Sequence, residues 1–154
     1  MLVAWLETTM DPRLYHSAKT GNTLLLIQLL DENPGQVLNL TPHENTPLHI
    51  AARFGNKNVV AEIYNRQKPT IGIEMLRLLN KAKNIALHEA VRNRHLRVVE
   101  FLIKVYPELA APSSACGGSN GQTALHAAVV EGHFGNLLLP IFFSVFLLCQ
   151  HALV

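Results

Sequence analysis

Apolar residues recur at helical spacing in several separate stretches of the chain. Leu25, Leu26, Leu29 and Leu30 fall on one face of a helix, as do Val59, Val60 and Ile63, and again Val98, Val99, Leu102 and Ile103. Leu48, Ala51 and Ala52 form another helical stripe, and its small alanines let neighbouring helices approach closely. The polar residues around that stripe mark its ends. Thr46 suits the capping position, where its side chain accepts a backbone N–H bond. Pro47 suits the first helical position, where a missing N–H costs nothing. Gly55 tolerates the positive φ that ends a helix. A second helix begins near Asn58. The pattern predicts helix-turn-helix units in series.

The units repeat as a phrase. Thr46-Pro47-Leu48-His49-Ile50-Ala51-Ala52 is answered by Ile85-Ala86-Leu87-His88-Glu89-Ala90-Val91 and by Thr123-Ala124-Leu125-His126-Ala127-Ala128-Val129. The interval from His49 to His88 is nearly the same as that from His88 to His126. A degenerate copy, Pro12-Arg13-Leu14-Tyr15-His16-Ser17-Ala18, lies upstream, with Leu14 standing a slightly shorter interval before Leu48. Periodicity on this scale means stacked units rather than one closed globule, and it points to a surface that binds rather than a pocket that reacts.

The phrase resembles the ankyrin repeat, whose T-P-L-H-x-A signature recurs over about 33 residues. The resemblance implies an all-α ankyrin-repeat solenoid with short β-turns, covering about 11–43, 44–82, 83–120 and an incomplete 121–136. The family's turn glycine is replaced by Glu44 and by Lys83, so those two β-turns lack it. Ile85, Ala86 and Arg94 likewise replace the Thr, Pro and Gly of the preceding unit. The period exceeds the family's at two junctions. One insertion surrounds Gln67-Lys68-Pro69-Thr70-Ile71-Gly72, and the following segment 73–79 adds a helical turn. The other, 111–119, is rich in Pro, Ser and Gly and reads as a flexible loop.

A narrower resemblance rests on Met10-Asp11-Pro12-Arg13-Leu14-Tyr15 and on Leu38-Asn39-Leu40-Thr41-Pro42-His43-Glu44-Asn45-Thr46-Pro47-Leu48-His49. Both are similar to plant ankyrin membrane proteins of the accelerated-cell-death type. That resemblance implies a longer array followed by membrane-spanning helices, and a role in defence signalling. It also makes Met10 the expected start, with 1–10 as an N-terminal extension.

Composition narrows the classes. At 49 % hydrophobic and 16 % charged residues the chain is not disordered by composition, and a net charge of +2 is too small to argue for nucleic acid. Arg92, Arg94, Arg97 and His95 form a local basic cluster that reads as a solvated face, as a patch for an acidic partner or as a nucleic-acid contact. Two cysteines, Cys116 and Cys149, form no C-x-x-C and no disulfide framework, which fits the reducing cytosol.

Eight histidines invite a metal reading, but His49, His88 and His126 occupy the same place in successive units. Stacked helices lie roughly 8–10 Å apart, whereas zinc holds its ligands within about 2.1 Å. Each imidazole is instead expected to hydrogen-bond near its turn and help join the repeats. No H-E-x-x-H, no G-x-S-x-G and no P-loop Lys-Ser/Thr pair is present, and the 11 acidic residues read as mostly isolated on helix faces. The expectation is a non-enzyme without cofactor, metal or small-molecule substrate.

The stretch 137–154 forms an apolar tail. As a helix from end to end it would span about 27 Å, against a bilayer core of about 30 Å. Pro140 argues against an ordinary second repeat helix there. Three readings stay open: a C-terminal apolar helix that anchors the chain in a membrane, a cap over the last repeat, or the aberrant end of a truncated gene product. The expected function is protein–protein interaction, as part of a membrane-associated plant defence protein with its repeats in the cytosol. The alternative is a soluble cytoplasmic adaptor, or a truncated product without signalling output. Family geometry puts the protein-binding surface at the turn tips and the exposed positions of the first helices: His43, Glu44, Asn45, Arg53, Lys57, Asn84, Arg92, Asn93, Asn120 and Gln122.

Overall fold

The structure, a computed structural model, describes residues 9–110, 123–132 and 139. Helices pair in chain order: α1 (Pro12–Thr20) with α2 (Thr23–Glu32), then α3 (Pro47–Arg53) with α4 (Lys57–Gln67). A short α5 (Gly72–Leu76) precedes the third pair, α6 (Ala86–Arg92) and α7 (Leu96–Val105), and α8 (Ala124–Val130) follows. The first helices stack as α1, α3, α6, α8 and the second helices as α2, α4, α7, which makes a two-layer α-solenoid. Among the described residues the only β-pairing is a single parallel bridge from Thr9 to Leu40.

The helical stripes read from the sequence are the core. Leu48, Ala51 and Ala52 of α3 are buried, as are Leu87, Ala90 and Val91 of α6 and Ala124, Ala127 and Ala128 of α8. In the outer layer Leu26, Leu29 and Leu30, then Val59, Val60 and Ile63, then Val98, Val99, Leu102 and Ile103 are buried, while Leu25 is partly so. Each fully buried Leu or Ile contributes about 1.5–3 kcal/mol. Tyr64 and Phe101 add an edge-to-face contact at 6.0 Å between α4 and α7. The first insertion does form a helical turn: α5 buries Met75 and Leu76. The second insertion, the start 1–8 and nearly all of 137–154, including the expected C-terminal apolar helix, lie outside the described residues. Among the described residues no helix is long and apolar enough to cross a membrane.

Both glycine-less turns form. Glu44 N–H donates to the Thr41 carbonyl (2.8 Å) and Thr41 N–H to the Asn45 carbonyl (3.0 Å); one unit later, Lys83 donates to Asn80 and Asn80 to Asn84, both at 2.9 Å. The two tips are tied by Lys81 N–H donating to the His43 carbonyl at 3.0 Å. These bonds hold Glu44 at φ 58° and Lys83 at φ 63°, in the left-handed region. A side-chain-bearing residue there costs about 1–2 kcal/mol. Lys83→Gly is therefore expected to raise stability by about 0.5–1 kcal/mol, once glycine's greater chain entropy is subtracted. Urea unfolding of the full chain measures this, and a lower midpoint would mean that the Lys83 side chain contributes more than its backbone costs.

Candidate functional site

The turn tips and first helices are locked together by polar groups. At the start of α3, His49 N–H donates to Thr46 Oγ1 (3.4 Å) while Thr46 N–H donates to His49 Nδ1 (3.3 Å). Nδ1 is thereby the acceptor, so Nε2 carries the proton and donates to the Asn84 carbonyl at 3.0 Å in the next unit. The ring is 1 % exposed and both nitrogens are engaged, which leaves none for a metal. Thr123 and His126 repeat the cap at 3.3 Å in each direction. α6 has no side-chain cap because Ile85 lacks a hydroxyl. His49 thus joins repeats as its spacing implied.

A second network lies beside it. Glu89 is 5 % exposed, and it accepts Arg53 Nε–H (3.0 Å) on one oxygen and Asn80 Nδ2–H (2.9 Å) on the other. Asn80 also donates to Asn45 Oδ1 (2.9 Å) and accepts the Ala82 and Asn84 N–H groups (both 3.0 Å). Burial pushes the Glu89 carboxyl up, but Arg53 and Asn80 outweigh it and hold the group below the ordinary glutamate value. The reading of acidic residues as isolated on helix faces fails here, because the partner of Glu89 comes from the neighbouring helix α3. The junctions closing the other end of the first helices are also polar. Asn56 donates to the Ala18 and Lys19 carbonyls (2.7 and 2.8 Å), and His95 Nε2 lies 2.9 Å from the Arg53 carbonyl. Each serves carbonyls that a helix end leaves unpaired.

Two of the ten residues expected on the binding surface are internal. Asn45 is 2 % exposed and Asn84 1 %. Their amides and carbonyls serve the network above, so they set the shape of the tips. His43, Glu44, Lys57 and Asn93 are exposed, and Arg53 and Arg92 are half-buried. Asn120 and Gln122 lie outside the described residues. Lys57 sits over the Phe101 ring (6.0 Å), on the second-helix layer, and Asn93 turns back to the Glu89 carbonyl (2.8 Å).

Two neighbouring cavities run along the face made by tips and first helices. One, of about 520 Å³, is lined by Met10, Pro12, Tyr15, Leu40, Pro42, Ile50 and others; the second, of about 410 Å³, is lined by Asn80, Lys81 and Ala82. His43, Asn45 and Arg53 line both. Of the expected residues, then, the structure gathers these three. Tyr15, Pro42, Ile50 and Lys81 were missed. Pro42 and Lys81 share one register position at the turn tips, Pro42 beside His43, which was a signal for them; Tyr15 aligns with the buried His49, so the register offered none for it.

The protein family described as "Ankyrin repeats (3 copies)" matches residues 71–141, and the one described as "Ankyrin repeat" matches residues 43–71. No curated protein matches the chain. The two matches together cover residues 43–141, more than half of the chain. Within that span lie the stacked first helices, the tied turn tips and the stacked second helices described above, and the chain accordingly belongs to the ankyrin-repeat family.

Proposed function

We propose that the chain binds a protein partner along the face built by the turn tips and the first helices. Ankyrin repeats mark a protein–protein interaction module, and the observation that carries the placement is the pair of adjoining cavities sharing His43, Asn45 and Arg53. Stacked repeats offer such extended surfaces to partners. A photo-crosslinking residue at position 15, in the full chain expressed in cells, is expected to capture partner protein. The same group at the exposed position 65, on the outer surface of α4, is expected to capture little. Equal capture, or capture from position 65 alone, moves the interface elsewhere.

The stretch 137–154 supports a finer reading of where this module works. It holds no Asp, Glu, Lys or Arg from end to end, which suits a short membrane anchor. The array would then face the cytosol in a defence signalling protein, as the resemblance to the accelerated-cell-death type implies. Carbonate extraction tests this on the full chain beside a Phe143→Arg, Leu147→Arg variant. Retention of the native chain alone in the membrane pellet supports the anchor. Release of both favours the soluble adaptor.

A further inference from the structure

The two adjoining cavities differ in chemistry. Tyr15, Pro42 and Ile50 give the first an apolar lining. Arg53, Lys81 and His43 give the second a basic one. Among the described residues no carboxylate lines either. The nearby buried acid, Glu89, engages only Nε–H of Arg53, and the terminal amino groups of that guanidinium make no hydrogen bond among the described residues. The Arg53 side chain stays 38 % exposed. Its free end offers paired donors in the planar geometry that a carboxylate accepts. Lys81, exposed at the neighbouring tip, adds a second positive charge. Lys19, Arg53 and Arg92 also occupy one register position in successive first helices, so positive charge recurs along this side of the array.

We propose that this face takes an extended, acidic segment of a partner protein. The segment seats an apolar side chain over Tyr15 and Ile50 and a neighbouring carboxylate against Arg53 and Lys81. This rests on the interaction-module reading above and names the chemistry of the partner. Glu89 anchors Arg53 from beneath, so the guanidinium is held in place before the partner arrives, which lowers the ordering cost of binding. Complementary charge also steers the encounter and makes it sensitive to salt.

Display of short random peptides on the immobilised full chain is the test. Enriched peptides are expected to carry Asp or Glu beside an aromatic or aliphatic residue. Their binding should weaken about ten-fold when the carboxylate becomes an amide, or when the chain carries Lys81→Glu, and should fall with added salt. Lys81→Ala, the milder change at the same exposed tip, is expected to weaken binding in the same direction, and circular dichroism verifies that both variants fold. Neutral or basic peptides that bind and still crosslink at position 15 would overturn the acidic partner and leave the interaction face standing. Peptides indifferent to positions 15 and 81, or no enrichment at all, would overturn both readings.

Discussion

Replacing His49 with alanine is expected to destabilise the protein by about 3–4 kcal/mol. The ring is almost wholly buried, so its removal leaves a cavity between α3 and the next tip. It also strips the Thr46 N–H of its partner and the Asn84 carbonyl of one of its donors, the Asn80 N–H remaining, and a buried polar group left unpaired costs about 1–3 kcal/mol. The same substitution should change the response to acid. Burial, the largest influence, pushes the His49 imidazole below its ordinary value of 6.5 and outweighs the Asn84 carbonyl and Glu89, which favour the cation. The fold therefore prefers the neutral ring. This stabilising preference is fully present above the unfolded value of 6.5 and is lost as pH falls through the lower folded value. Glu89 acts in the same direction at lower pH. Its folded value lies below 4.5, so its contribution is present above 4.5 and is lost as pH falls through the depressed value. On acidification the loss should begin below 6.5 from His49, the upper stage, with Glu89 adding to it below 4.5, and His49→Ala should remove the upper stage. Urea midpoints across this pH range decide the matter. An unchanged upper stage in the variant would falsify the assignment to His49.

Gly55→Ala is expected to cost about 2–3 kcal/mol, far more than adding one methyl to a surface turn. Gly55 sits at φ 76°, where a side chain costs about 1–2 kcal/mol. A Cβ there would also stand 2.7 Å from Cε1 and 2.8 Å from Cγ of the His95 ring. The imidazole would have to move, and with it the bond from Nε2 to the Arg53 carbonyl at 2.9 Å. A double-mutant cycle separates the two causes. In a His95→Ala background the same glycine substitution should cost only the backbone part, about 1 kcal/mol. An equal cost in both backgrounds would remove His95 from the account. Arg94 holds the equivalent position one unit later at φ 61°, so the register alone does not require glycine; the approach of His95 makes Gly55 different.

Much of this was open to reading in the chain. The stripes Val59, Val60, Ile63 and Val98, Val99, Leu102, Ile103 became the outer layer of the core. The capping role of Thr46, the first-turn place of Pro47 and the terminating Gly55 all stand where the phrase puts them. These features depend on residues within one or two helical turns, and helix periodicity and caps are local properties. Glu44 and Lys83 were legible as missing glycines but not as residues driven into the left-handed region, because the tie from Lys81 to the His43 carbonyl joins two separate tips.

The candidate site divides along the same line. His43 and Arg53 could be placed on the binding face from the repeat register, whereas Asn45 and Asn84 occupy matching positions in that register and are nonetheless interior. Their burial comes from Asn80, which reaches Asn45 across 35 residues, and from His49, which reaches the Asn84 carbonyl across another 35. Glu89 and Arg53 are 36 residues apart and meet only when α6 stacks on α3. By itself, then, the sequence determined the repeat, its helices, their caps and their apolar faces, since each is encoded in residues close together along the chain. Tertiary structure alone decided which polar residues are consumed in joining one repeat to the next and which stay exposed to a partner, because hydrogen bonds between repeats depend on how the helices stack and not on local spacing.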